Sequence, residues 1–493
     1  NRDIKVVHCI DNRGPHVASQ ISSMDSDDDR QFLDQEVWDR PPASHRLKRA
    51  FRNEPGLVTH VSMCFSAVHN LRQLTGSIPP KEGHVTCLDG MRVITIWWIV
   101  LAHTFLGIFS TGAVENPKMA ETYSKRLSWQ PIANAYFAVD TFFFLSGFLV
   151  SFLTLGHLNK HNGKFPALKY FIHRYLRLAP LMGFSILLWT FVMPHLGSGP
   201  LWHRMASQPT CHQYWWTNML FILNFYPVSP SDQCIGWTWY LANDMQLYLI
   251  APVIIYVLYC GAKKGITLVL VLLLAGFAVT GALIGSYKID VNLTGMVLHQ
   301  DNQGAHDYEQ IIYSKPYCRL APYLVGILLG YILDLEKQKT RTMSKLLVWG
   351  MWGLALGAGV ALIMTFYGTF HGHPLNLAEN VVYGTFSHFV WGLSLAWVVY
   401  ACRHQYGGLI DRFLSWHGWQ PLSRMTYAVY MTHPLIIFYY TSTIKSSVYV
   451  SDINMAFWYG GAMLTSYVGA ALLMLMIELP IANVEKLIRG SFV

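Results

Sequence analysis

The sequence predicts an all-α integral membrane protein, with about ten transmembrane helices behind a cytosolic N-terminal tail. Three observations carry that reading. Charge is unevenly divided: 23 of the first 90 residues are Asp, Glu, Lys or Arg, against 41 of the remaining 403. Soluble domains average about a quarter charged residues, so the longer stretch could not cover a water-facing surface. Ten apolar stretches in it are long enough to cross a bilayer as helices. Several of them nevertheless hold single ionisable residues, which are costly in lipid and mark functional sites by default. The net charge of +8 lies in loops and not on one basic face, so no nucleic-acid partner is expected.

Residues 1–86 read as the tail. Within it, Asp25–Asp29 (DSDDD) and the Pro41-Pro42 turn are solvated and low in structure. Leu57, Val61, Cys64, Phe65, Val68 and Leu71 recur at steps of three and four, which predicts an amphipathic helix over 57–74. It is too short to span, and lies either on the membrane surface or against a missing upstream domain. The first residue is Asn and no signal peptide precedes it, so the N-terminus is expected to be truncated or processed. Eight cysteines form no CxxC pair and no Cys/His spacing of a zinc site, so no metal is expected.

Residues 87–485 form the transmembrane domain, and 486–493 a cytosolic C-terminal end. The spans are expected near 91–111, 133–156, 175–195, 239–260, 265–285, 319–335, 345–367, 379–401, 425–444 and 455–477. The loops on the side of the tail hold 16 Lys and Arg, and those on the other side about half as many. By the positive-inside rule both termini are cytosolic. The sequon Asn292-Leu293-Thr294 then falls on the opposite side, where Asn292 is a candidate for glycosylation. Cys211 and Cys234 share an outer loop and are candidates for a disulfide, or else are two separate cysteines near the membrane surface. The sequence leaves open which membrane is occupied, plasma membrane or endomembrane.

The ionisable residues inside spans are Arg92, His103, Asp140, Asp244, Arg319, His388, His433 and Glu478. Arg92 and His103 are eleven residues apart, which on a helix puts both on one face, about 16 Å apart along the axis. Arginine offers a fixed fork for phosphate at the mouth, and histidine a base at depth. That suits a long anionic donor entering from the cytosol. The alternative is a helix-end anchor and a packing histidine. Asp244 and Tyr248 share a face at i,i+4, and the acid needs a partner such as Arg319 or a histidine. Arg174 and Arg177 on the cytosolic edge are donor-phosphate candidates. Asp140 stands beside the small Ser146-Gly147 step and so is a candidate for either function or close helix packing. His433 precedes Pro434 at an expected kink. His388 is read as a packing residue, and Glu478 as a helix-end charge.

Six motifs stand in order over 91–485: Arg92–x10–His103, Val139–Phe148 (VDTFFFLSGF), Arg174–Pro180 (RYLRLAP), Trp239–Tyr248 (WYLANDMQLY), Tyr427–Pro434 (YAVYMTHP) and Glu478-Leu479-Pro480. The chain resembles the acyltransferase 3 family of integral membrane proteins, and most closely its animal branch of nose-resistant-to-fluoxetine proteins. In that branch a Cys-rich extracellular domain precedes this region, and residues 51–75 resemble the segment connecting the two. The resemblance implies acyl transfer, usually from acyl-coenzyme A, to an acceptor hydroxyl, with His103 as catalytic base and Arg92 as its partner. It also suggests a catalytic acid at Asp244, although bacterial members typically carry Glu there and Asp is one methylene shorter.

The expected function is therefore a membrane-bound acyltransferase. Acyl-coenzyme A is its co-substrate, no cofactor is permanently bound, and lipid, sugar or another small molecule is the acceptor. His103 acts either as base or as covalent relay. The rival is a lipid or small-molecule transporter on the same fold, against which no inverted repeat of broken spans stands out. A receptor-like scaffold has no positive sign.

Overall fold

A computed structural model describes residues 57–76, 85–206, 208–298, 302–337 and 342–489. The Asp25–Asp29 and Pro41-Pro42 readings, and the last four residues of the C-terminal end, lie outside them. Of the described residues, 80% are helical. Among the described residues the only β pairing is an isolated bridge between Val114 and Val448.

The longer helices in chain order are α1 (Leu57–Cys64), α2 (Ala67–Thr75), α3 (Cys87–Phe109), α4 (Tyr136–Lys160), α5 (Ala167–Leu187), α6 (Trp239–Cys260), α7 (Ala262–Tyr287), α8 (Pro316–Leu335), α9 (Lys345–Met364), α10 (Leu377–Arg403), α11 (Thr426–Ser442), α12 (Asp452–Leu473) and α13 (Leu479–Arg489). Among the described residues, nine helical segments are long and apolar enough to cross a membrane, which makes this an integral multi-pass protein. The ninth expected span, 425–444, is the one not among them; it forms α11, with only 17 residues and 12 of them buried. Its Thr, His and Tyr content reflects that position: it faces other helices more than lipid.

The expected helix over 57–74 is broken in two. Ser66 leaves the helical conformation and caps α2, its side chain accepting from the His69 amide. Prolines 180, 252, 322 and 434 sit inside α5, α6, α8 and α11, a substitution that neighbouring helices make tolerable in membranes.

Burial sorts the helices into centre and rim. Within their spanning windows α4 and α8 are each 67% buried, whereas the segment containing α9 is 11% buried and faces lipid. The α4–α8 contact is made backbone to backbone through glycine. A Cβ at Gly147 would sit 2.2 Å from the Tyr323 carbonyl oxygen, and a Cβ at Gly326 2.2 Å from that of Phe144. Small residues of this kind let membrane helices approach closely enough for dispersion to hold them. A similar approach fixes α3: a Cβ at Gly90 would lie 2.4 Å from the carbonyl oxygen of Leu414, in the short helix Gly408–Leu414.

Gly326→Leu should force α4 and α8 apart, costing about 1–3 kcal/mol or more by overpacking, and should lower the thermal unfolding midpoint in detergent. Gly350→Ala on α9, where a Cβ meets nothing within 4 Å, should leave the midpoint unchanged.

Candidate active site

The continuous helix α3 carries Arg92 near one end and His103 eleven residues along it, on one face. His103 meets His433 of α11: His103 Nδ1 and His433 Nε2 are 2.8 Å apart, with the rings stacked within 7°. His433 is fully buried, and its Nδ1 lies 2.9 Å from the Val429 carbonyl oxygen. A carbonyl only accepts, so His433 carries its proton on Nδ1 and, when neutral, presents a lone pair at Nε2. His103 must then donate from Nδ1, which leaves His103 Nε2 with a lone pair. His103 is only half-buried, so the basic nitrogen belongs to the reachable member of the pair.

At the other end of α3, Arg92 pairs loosely with Asp89 at 3.8 Å. Asp89 also accepts from Ser423 Oγ at 2.7 Å. Arg92 lies within electrostatic reach of Arg177 and Tyr240, and Tyr240 within reach of Arg174. Arg92, Arg174 and Arg177 therefore share one neighbourhood, together with the carboxylates Asp89 and Asp244. Glu478, at the end of the π-helical turn Met474–Glu478, lies within electrostatic reach of Arg177.

Asp244 is not arranged as a free acid or base. One carboxylate oxygen accepts from Ser146 Oγ at 2.6 Å and the other from Arg174. Its partner is thus Arg174, not the Arg319 or histidine expected from sequence, and its evident task is to hold that guanidinium. Arg174 also lies 4.1 Å over the Tyr248 ring, which stacks within 3° on Tyr170. Tyr170 Oη donates to the Tyr248 carbonyl, and Tyr248 Oη to that of Tyr170. The orientation of Arg174 is therefore set by the Asp244 carboxylate and the Tyr248 ring.

A second polar group lies apart from these. Arg319 of α8 donates to Asp140 of α4 at 3.1 Å and to the Tyr313 carbonyl at 3.0 Å. His388 of α10 meets Asp140 through Nδ1 at 2.7 Å. All three are buried, with Arg319 1% and Asp140 0% exposed. His388, read as packing, instead completes an ion pair drawn from three spans. This network holds helices together; it presents no reachable group.

Cys211 and Cys234 form a disulfide. Asn292 is 3% exposed, its Oδ1 accepts from the Gly295 amide, and Thr294 Oγ1 donates to the Ala133 carbonyl. The Asn292 side chain is thus engaged in a local turn.

Sequence reasoning missed Ser146 as a partner of Asp244, Tyr170 as the support of Tyr248, and His388 as a member of the ion network. The available signal was charge balance, since each buried carboxylate and guanidinium in a span needs a neutralising neighbour.

Residues 85–476 match the family described as an acyltransferase domain. The chain is 29% identical over 439 residues to nose resistant to fluoxetine protein 6 of Caenorhabditis elegans, an alignment covering 83% of this chain and 52% of that protein. It is 24% identical over 455 residues to regulator of hypoxia-inducible factor 1 of the same organism, covering 86% and 84% respectively. The chain thus spans about half the length of the first relative. No solved structure matches it.

Removing one member of the buried ion pair should cost more than removing both. Asp140→Leu or Arg319→Met alone leaves an uncompensated buried charge, worth about 3–5 kcal/mol. The double variant should recover part of the lost thermal midpoint in detergent. A double variant less stable than either single one would show that the pair is not coupled as described.

Proposed function

The chain belongs to the acyltransferase 3 family, and on that premise we propose that it is a membrane-bound acyltransferase moving an acyl group from acyl-coenzyme A to an acceptor hydroxyl. The acceptor class is a lipid, sugar or other small molecule. The observation that carries the proposal is the oriented pair in which His433 accepts from His103 Nδ1, leaving His103 Nε2 free to take a proton.

In this reading the acceptor hydroxyl gives its proton to His103 Nε2 as its oxygen attacks the thioester carbonyl carbon. The C–O bond forms, the C–S bond breaks, and the departing thiolate takes the proton back from the imidazolium. His433 fixes the tautomer, as a buried partner does in other hydrogen-bonded catalytic chains. Positioning of this kind, with general-base catalysis, typically contributes about 10²–10⁴-fold.

Arg92, Arg174 and Arg177 serve as the donor-phosphate site. The spacing of about 16 Å from Arg92 to His103 is comparable to the pantetheine arm of a coenzyme A thioester. Arg174, held by Asp244 and Tyr248, is pre-oriented, and Asp244 acts through it and not on the substrate. The excess of Lys and Arg on the Arg92 side supports a cytosolic donor mouth with both termini in the cytosol.

His103→Ala should abolish acyl transfer while acyl-coenzyme A still binds, read by transfer of a radiolabelled acyl group beside donor-binding isotherms. His433→Gln, which keeps an acceptor for His103 Nδ1, should retain more turnover than His433→Ala. Arg92→Ala should raise the donor KM before it lowers kcat, and Arg92→Lys should rescue it only in part, because a point charge replaces the fork. If the purified wild-type protein neither binds nor consumes an acyl donor, the acyltransferase reading fails.

A further inference from the structure

The two helices α1 and α2 stand on the page without a role in the chemistry. Cys64, Asn70 and Leu74 point inward and are buried. Asn483 of α13 donates to Asn70 Oδ1 at 2.8 Å, and Asn70 Nδ2 donates to the Cys64 carbonyl at 3.1 Å. Arg424, at the end of the short helix Trp419–Arg424, donates to the carbonyls of Gln73, Leu74 and Gly76. It thereby satisfies the C-terminal carbonyls of α2. The helix pair is docked through its polar edge, at defined partners.

What it turns outward is apolar. Val61, Met63, Phe65, Val68 and Leu71 are exposed, Val68 by 62% and Phe65 by 58%. The depth of its dock says what meets that face. The helix α12 has 22 residues, about 33 Å at 1.5 Å per residue, enough for a hydrocarbon core of about 30 Å. The chain then passes the π-helical turn Met474–Glu478 into α13, which must lie at headgroup level. Because α1 packs on α13, and Asn70 is bonded to Asn483, α1 and α2 lie at that level too. The last spanning segment is itself only 22% buried in its spanning window, and Ile488 of α13 is exposed. Arg72 stands on the same outward face, where its stem can lie along apolar surface with the guanidinium at the phosphates.

We infer that α1 and α2 form a membrane-surface anchor, seated in the lipid interface of the leaflet at which α3 begins, with Val61, Phe65, Val68 and Leu71 inserted among the acyl chains. The occupant is bilayer lipid, not a second copy or an upstream segment of the chain. The anchor also borders the donor mouth. Asp89 pairs with Arg92 and accepts from Ser423, the neighbour of Arg424. This inference is independent of the acyltransferase proposal.

The test places a single spin label at Phe65→Cys, Val68→Cys or Leu71→Cys, in the full chain reconstituted in nanodiscs of phosphatidylcholine and phosphatidylserine. The parent chain is treated in parallel as background; among the described residues the free cysteines 64, 87, 318 and 402 are buried. Collisions with dissolved oxygen should exceed collisions with a water-soluble nickel chelate severalfold at all three positions. Nickel in excess of oxygen would mean that the face meets water and would overturn the inference. Low accessibility to both would mean that protein covers the face, and would overturn it equally.

Discussion

Everything at the centre of this molecule depends on how closely α4 can approach α8. Gly147 and Gly326 remove the side chains that would hold the two backbones apart, and each glycine sits against a carbonyl of the other helix. At that separation Asp140 and Arg319 can form a direct ion pair in a region where an unpaired charge is prohibitive. One residue before Gly147, Ser146 is brought to Asp244, and through Asp244 to Arg174. A steric fact about two glycines thus reaches the electrostatics of both polar clusters.

The two clusters differ in kind. The Asp140–Arg319–His388 group is closed, with all three members buried. The group around Arg92, Arg174 and Arg177 remains partly open, with the side chains of Arg92 and Arg174 24% and 20% exposed. Three carboxylates, Asp89, Asp244 and Glu478, stand near its three guanidiniums, and the Asp89–Arg92 pair is loose at 3.8 Å. A guanidinium that keeps solvent access can still meet an anion; charge fully paired in a core resists rearrangement.

The sequence made the spans legible because hydrophobic length is a local property, and it placed Arg92 and His103 on one face because both lie on one uninterrupted helix. It could not name His433 as the partner of His103, since 330 residues separate them and only packing of α3 on α11 joins them. For Asp244 the need for a counter-ion was legible, but its identity was not: Arg174 rather than Arg319 answers it, because α4 and α8 deliver Arg319 to Asp140 first. The periodicity over 57–74 showed an amphipathic segment but not its break, as Ser66 is a capping residue whose effect overrides a pattern that continues through it. Asn292 shows the opposite failure: a three-residue signal that is correct as a string lies in a buried turn.

The close seat of Gly90 against the Leu414 carbonyl has one more consequence. It is reinforced nearby, where Thr86 Oγ1 donates to Ser415 Oγ at 2.8 Å, so the first span is pinned at its end and cannot slide along its own axis. The interval between Arg92 and His103 is then a rigid ruler, graduated by helix rise and not by loop movement. For an elongated ligand held at both residues, discrimination by length therefore needs no moving part.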